Sequence, residues 1–165
     1  MANSVFDALG RYFWLMCLAI SAYQYYAAGR RVEADEHLSE SMKIERTKYS
    51  QWGIAASTLP WIVMGAGQLS GNTSSVWEYF RPQDMNPFVV AFVGSVFAMS
   101  LAFFYWVFFM DGARKAVELK LMHWQGFSGS GPLTESQVKL FAGFGPLFVV
   151  AWIALCIFID APIRT

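Results

Sequence analysis

"PFVVAFVGSVFAMSLAFFYWVFFM", residues 87–110, is the most apolar stretch of the chain. It contains no charged side chain, and the nearest ones outside it are Asp84 and Asp111. A helix needs about 20 predominantly apolar residues to cross the hydrocarbon core of a membrane. This stretch therefore predicts a membrane-spanning helix.

The overall composition agrees with a membrane protein. Of the 165 residues, 56% are hydrophobic and 15% are charged, whereas soluble domains carry about 25% charged residues. Lys plus Arg and Asp plus Glu number 12 each, so no net charge favours nucleic acid as a partner. Cys17 and Cys156 lie in apolar runs and are interpreted as small hydrophobic residues, not as a disulfide or metal pair. The length predicts one domain.

Three further stretches have the length of a membrane span. Together with residues 87–110, they predict an all-α, integral membrane four-helix bundle that forms a single transmembrane domain over residues 1–165. The span at residues 6–28 is the least apolar, since Asp7 and Arg11 lie near its start. The four predicted spans cover residues 6–28, 49–69, 87–110 and 138–159.

The positive charges predict an orientation. Nine of the 12 Lys and Arg residues fall in the first and third connections between spans, and cytoplasmic loops carry such an excess. Both termini and the second connection are therefore predicted on the non-cytoplasmic side, in a bacterial inner membrane. The nine are Arg30, Arg31, Lys43, Arg46, Lys48, Arg114, Lys115, Lys120 and Lys139.

The two halves of the chain resemble each other. His37 and His123, and likewise Pro60 and Pro146, are separated by the same interval of about 86 residues, as two parallel two-helix repeats would give. Basic connections followed by kinked helices would produce the same pattern without duplication. The first connection lacks Pro and Gly and predicts a helical hairpin beyond the membrane, whereas Thr134 predicts a helix start in the third.

The second connection contains "SVWEYFRPQDMNP", residues 75–87, a dense mixture of aromatic and charged groups. Ser75 and Glu78 have capping-box spacing and Pro82 stops a helix, which predicts a short outer interfacial helix of about two turns. Trp77, Tyr79 and Arg81 are the predicted contact with a partner subunit, a lipid or a quinone. The alternative is plain anchoring by an aromatic belt.

Small residues at helical spacing mark one face of the third span. Such residues let helix backbones approach in lipid. They pack either inside the four-helix bundle or against another protein. The predicted helix-packing residues are Ala91, Gly94, Ala98 and Ala102.

Reactive groups are scarce within the spans. Haem held between membrane helices needs an axial ligand at membrane depth, yet His37 and His123 fall in connections. No catalytic residue, cofactor or metal is predicted. The acidic run Glu33, Asp35, Glu36 and His37 is the only metal-site candidate, and such a run is more typical of a solvated helix face.

These features predict a non-enzymatic accessory or structural subunit of a larger, energy-converting membrane complex such as a respiratory chain. The predicted partners are membrane lipids, other integral membrane subunits and a quinone. One alternative is a small homo-oligomeric channel or transporter. Another is a metal-dependent membrane enzyme that uses the acidic run.

Overall fold

The computed structural model describes residues 2–33, 38–126 and 129–158 and shows an α-helical fold. Two short 3-10 helices lie between the second and third α-helices, and a β-hairpin precedes the last. In chain order the elements are α1 (Ala2–Glu33), α2 (Glu40–Leu69), the 3-10 helices Val76–Phe80 and Pro82–Asp84, α3 (Pro87–Phe109), α4 (Gly112–Glu118), β1 (His123–Gly126), β2 (Gly129–Pro132) and α5 (Glu135–Phe158).

Local signals set the helix boundaries. Ser39 caps α2 by accepting a hydrogen bond from the backbone N–H of Met42 at 3.4 Å, and Gly71 follows that helix with φ of 74°. Asn86 caps α3 in the same way, with Pro87 in its first turn. The predicted capping box of α5 is confirmed: Gln137 accepts from the Thr134 backbone N–H at 2.9 Å, and Thr134 Oγ1 accepts from Gln137 N–H at 3.4 Å.

The first connection is helical on both sides, as predicted. Residues 34–37, which hold most of the acidic run including Asp35, Glu36 and His37, lie outside the described residues. The third connection contains α4 and then an antiparallel hairpin in which Trp124 pairs with Gly131. Glycine and serine were expected only to break a helix there. Their alternation also permits a hairpin, and the structure shows one at this position.

The long helices pack mainly in chain order. The principal contacts join α1 to α2, α2 to α3 and α3 to α5, while α4 packs on α3 and α5. This arrangement is a row in which α3 has a neighbour on each side. A closed bundle would also need extensive packing of α1 against α5, and the principal contacts include none.

Among the residues that the structure describes, two helices are long and apolar enough to cross a membrane, judged by length and composition. They are Pro87–Phe109 and Glu135–Cys156, and little of either is buried inside the protein. The predicted membrane location is thus supported for the third and fourth spans, and a four-helix membrane bundle is not confirmed. The first two helices are rich in Tyr, Gln, Ser, Thr and Gly, which lowers their mean hydropathy.

Two buried clusters stand at opposite ends of the long helices. One is built around Met64, Tyr79 and Val89, where the first 3-10 helix packs against α2 and α3. The other is built around Val107 and Val138, where α3 meets α4 and α5. The second connection therefore lies at one end, and the third lies at the other.

Candidate functional site

The second connection folds against the protein and does not form a separate surface helix. Its first 3-10 helix spans only Val76–Phe80, shorter than the predicted two turns of α-helix. Ser75 Oγ accepts from Trp77 N–H at 3.5 Å, but Glu78 reaches one residue further back than predicted and accepts from Ser74 N–H at 2.7 Å. The predicted capping box is therefore displaced by one residue.

Tyr79 points into the core. Its side chain is 1% exposed, and its hydroxyl donates to the Met64 carbonyl oxygen at 3.1 Å and lies 3.1 Å from Thr73 Oγ1. Its ring meets Phe92 edge to face with centroids 5.1 Å apart. Desolvation by burial is the main reason that the pKa of Tyr79 is raised. Tyr79 therefore packs inside the protein and not at its surface, and its predicted role in contact with a partner, lipid or quinone stays a prediction.

Gly67 makes room for that hydroxyl. A Cβ at Gly67 would collide with the Tyr79 hydroxyl and would come within 3.0 Å of both Phe88 Cβ and Thr73 Oγ1. Two residues earlier on the same helix, a Cβ at Gly65 would overlap the Trp14 ring. Neighbouring parts of the protein therefore approach the α2 backbone closely at these two glycines. The sequence signal for this close packing is the pair of glycines two positions apart in "MGAGQ".

Trp77 and Arg81 remain accessible. Trp77 is 48% exposed, and its ring lies 6.2 Å from Phe80, which in turn meets Trp152 of α5 at 90°. Arg81 pairs through Nε with Asp84 at 3.3 Å, so this ion pair does not use its two terminal nitrogens. Of the three predicted contact residues, these two lie on the surface, and their role in binding stays a prediction.

Gln68 adds a polar group to the same end of the molecule. Its Nε2 donates to the Gly10 carbonyl oxygen of α1 at 3.4 Å, and its buried Oε1 has no hydrogen-bond partner within the described chain. Gly10 is also close to Ser75 and Trp77. The connection is thereby joined to α1 as well as to α2, α3 and α5.

The small-residue face of α3 points outward. Ala91, Gly94, Ala98 and Ala102 are all exposed, and a Cβ at Gly94 would meet nothing within 4 Å. The residues that pack inside the protein are on the other side of α3, and include Phe92. These four residues therefore do not pack inside the protein, which was one of the two predicted alternatives. Packing against another molecule stays a prediction.

A second polar site occurs at the opposite end of the long helices. Lys115 of α4 donates to the Tyr49 hydroxyl of α2 at 2.9 Å, and Arg46 donates to the Lys120 carbonyl oxygen at 3.3 Å. The hydrogen bond to Tyr49 is the main reason that the pKa of Lys115 is raised. These contacts place basic residues of the first and third connections at the same end, as the charge pattern predicted.

No group of three or more metal-ligating side chains is found among the residues that the structure describes. Glu33 is the only member of the acidic run within them, at the end of α1. Comparisons of this chain with protein-family models, with curated proteins and with solved structures found no match.

Proposed function

We propose that this chain is an accessory subunit of a larger integral membrane complex, in which its four long helices cross the bilayer and other subunits pack against α3. In this proposal the end with Lys115 faces the cytoplasm, and Trp77 and Arg81 lie at the outer surface beside lipid, a partner subunit or a quinone. An energy-converting complex is the class of assembly that we favour.

The uncovered face of α3 carries the proposal. In lipid, large apolar side chains are satisfied by acyl chains, whereas small residues favour a closely packed helix. Residues 91, 94, 98 and 102 form a strip of small side chains that no helix of this chain covers within the described residues. Larger exposed residues, Val90, Leu101 and Tyr105, share that face. A partner helix would fill the shallow channel that this difference in size creates.

Membrane crossing by α1 and α2 has support from their outward residues. Residues 12–29 and 49–69 contain no Asp, Glu, Lys or Arg, and at about 1.5 Å per residue they extend for roughly 27 and 31 Å. Their exposed side chains are largely apolar, which suits contact with acyl chains. They include Leu15, Ile20, Leu59 and Ile62.

Gentle detergent extraction tests the proposal. The chain should migrate with unrelated, larger membrane subunits, and Gly94→Leu should release it because a bulky side chain blocks the small-residue strip. The released variant should unfold at a denaturant concentration no lower than that of the wild type, since a side chain at residue 94 meets open space. As a matched control, Val107→Ala should destabilise the chain itself, because Val107 is buried.

A homo-oligomer without other subunits would favour the channel or transporter instead. Retention of the complex by the Gly94→Leu variant would contradict the proposed contact surface.

A further inference from the structure

An open groove of about 670 Å³ lies between the C-terminal half of α1 and the N-terminal half of α2. It belongs to neither of the sites described above. Charged side chains line it near the connection, and aromatic ones line it further along. The residues that matter are Tyr25, Glu33, Glu40, Lys43, Lys48 and Trp52.

The charges follow an order along the groove. Glu33 ends α1 and Glu40 begins α2, so both carboxylates are at the outer end. Lys48 is farther inward by about 12 Å along the α2 axis, at 1.5 Å per residue. Trp52 follows one turn later, about 6 Å deeper. Negative, positive and aromatic groups thus succeed one another towards the proposed membrane interior.

Two of these charges have no ionic partner among the residues that the structure describes. Lys43 and Glu40 neutralise each other through a 3.0 Å ion pair. Neither Glu33 nor Lys48 makes an ion pair with any other residue of the described ranges. A ligand with one cationic and one anionic group would complement both, and its anionic group would have to lie deeper than its cationic group.

The aromatic residues suit the glycerol and upper acyl region of a lipid. Trp52 is 69% exposed and Tyr25 is 45% exposed, although both are large. Amphipathic rings of this kind favour the membrane interface. The stem of Lys48 can lie along them while its ammonium group extends outward.

We propose that this groove binds a phospholipid with a primary-amine headgroup, phosphatidylethanolamine. Its phosphate contacts Lys48, its ammonium group contacts Glu33, and its glycerol and upper chains lie against Trp52 and Tyr25. A purely anionic lipid offers nothing to Glu33. Phosphatidylcholine has the same charges but no N–H donor for the carboxylate. The inference depends on the proposed membrane location, but not on membership of a complex.

The test uses the full chain reconstituted in phosphatidylcholine vesicles that contain brominated phosphatidylethanolamine, since bromine quenches nearby tryptophan fluorescence. The Trp52 contribution is the difference between the wild type and the Trp52→Phe variant. Brominated phosphatidylethanolamine should quench it at a mole fraction about three- to fivefold lower than brominated phosphatidylcholine does, the effect of one hydrogen bond from the ammonium group to Glu33.

Matched variants locate the site. Lys48→Gln should weaken quenching by both brominated lipids, since both carry the phosphate that Lys48 contacts. Glu33→Gln should abolish the preference, because its carboxylate accepts the N–H that phosphatidylcholine lacks. Lys139→Gln and Glu118→Gln should retain it, because those residues lie on α5 and α4 and already form ion pairs there.

Equal quenching by the two lipids, or stronger quenching by brominated phosphatidylglycerol, would overturn the proposed headgroup. Vesicle flotation separates this outcome from failure of the broader proposal. A chain that does not float with the vesicles contradicts the membrane location itself. One that floats without a lipid preference contradicts only the groove assignment.

Discussion

The contact between Gly67 and Tyr79 gives a double-mutant cycle whose sign and size follow from the structure. Tyr79→Phe removes a buried hydroxyl that donates to the Met64 carbonyl oxygen and contacts Thr73. A hydrogen bond contributes about 0.5–1.5 kcal/mol net, with a further cost when a buried group loses its partner. We therefore expect Tyr79→Phe to lower the free energy of unfolding by about 1–2 kcal/mol.

Gly67→Ala introduces a methyl group where the hydroxyl lies. Overpacking of this kind costs about 1–3 kcal/mol, against a gain of about 0.5–1 kcal/mol from replacing glycine within a helix. In the Tyr79→Phe background the collision with the hydroxyl disappears, while the 3.0 Å approaches to Phe88 and Thr73 remain. The cost of Gly67→Ala should fall by about 1 kcal/mol there, without vanishing.

The assay is unfolding of the purified chain in mixed micelles by increasing mole fraction of dodecyl sulfate, followed by tryptophan fluorescence. Gly53→Ala is the matched control, because Gly53 is on the same helix and a Cβ there would meet nothing within 4 Å. It should be neutral or stabilising by up to about 1 kcal/mol. Additive effects of Gly67→Ala and Tyr79→Phe, within about 0.5 kcal/mol, would refute the proposed steric coupling.

Two other predictions concern the polar ends of the molecule. Tyr49→Phe removes the acceptor for Lys115 but keeps the ring 5.4 Å from its ammonium group. Because the pKa of Lys115 is raised by folding, this stabilisation is complete below the ordinary lysine pKa of 10.5 and is lost as pH rises through the higher folded value. The unfolding midpoints of wild type and variant, measured against pH, should converge above that value, and a constant difference would argue against the ionic contribution. At the other end, Arg81→Lys should weaken the isolated complex, or its retained lipid or quinone, more than Phe80→Leu does, because only arginine offers a planar set of donors. Co-purification of the complex with the Arg81→Lys and Phe80→Leu variants measures this difference. If the assembly stays intact after Arg81→Lys and after Arg81→Ala, residues 75–81 serve as a membrane anchor.

The helices at residues 87–109 and 135–158 were predictable because their signals are local. An unbroken apolar run gives the third span, and Asn86 followed by Pro87 gives its start. Thr134 and Gln137 are close in sequence, so their capping box could be inferred without tertiary structure. The displaced capping at Ser74 shows the limit of such reasoning, since a glutamate that can reach two adjacent N–H groups selects one according to the local backbone.

The direction of each side chain was not predictable in the same way. Every position in an apolar helix can face either lipid or protein, so composition does not identify the packed face. The small-residue strip around Gly94 looked equally suited to internal and external packing, and the structure places it outside. Tyr79, predicted at the surface with Trp77 and Arg81, faces inward because Gly67 leaves a space that its ring and hydroxyl fill.

The sequence by itself determined the helical class, the two apolar helices α3 and α5, and the grouping of basic residues at one end. These depend on length, hydropathy and charge along the chain. Only the tertiary structure decided that the helices pack in a row, that Tyr79 joins the core, and that Glu33 and Lys48 line one groove. Such features depend on contacts between residues far apart in sequence, whose energies come from packing and burial, and no local pattern encodes them.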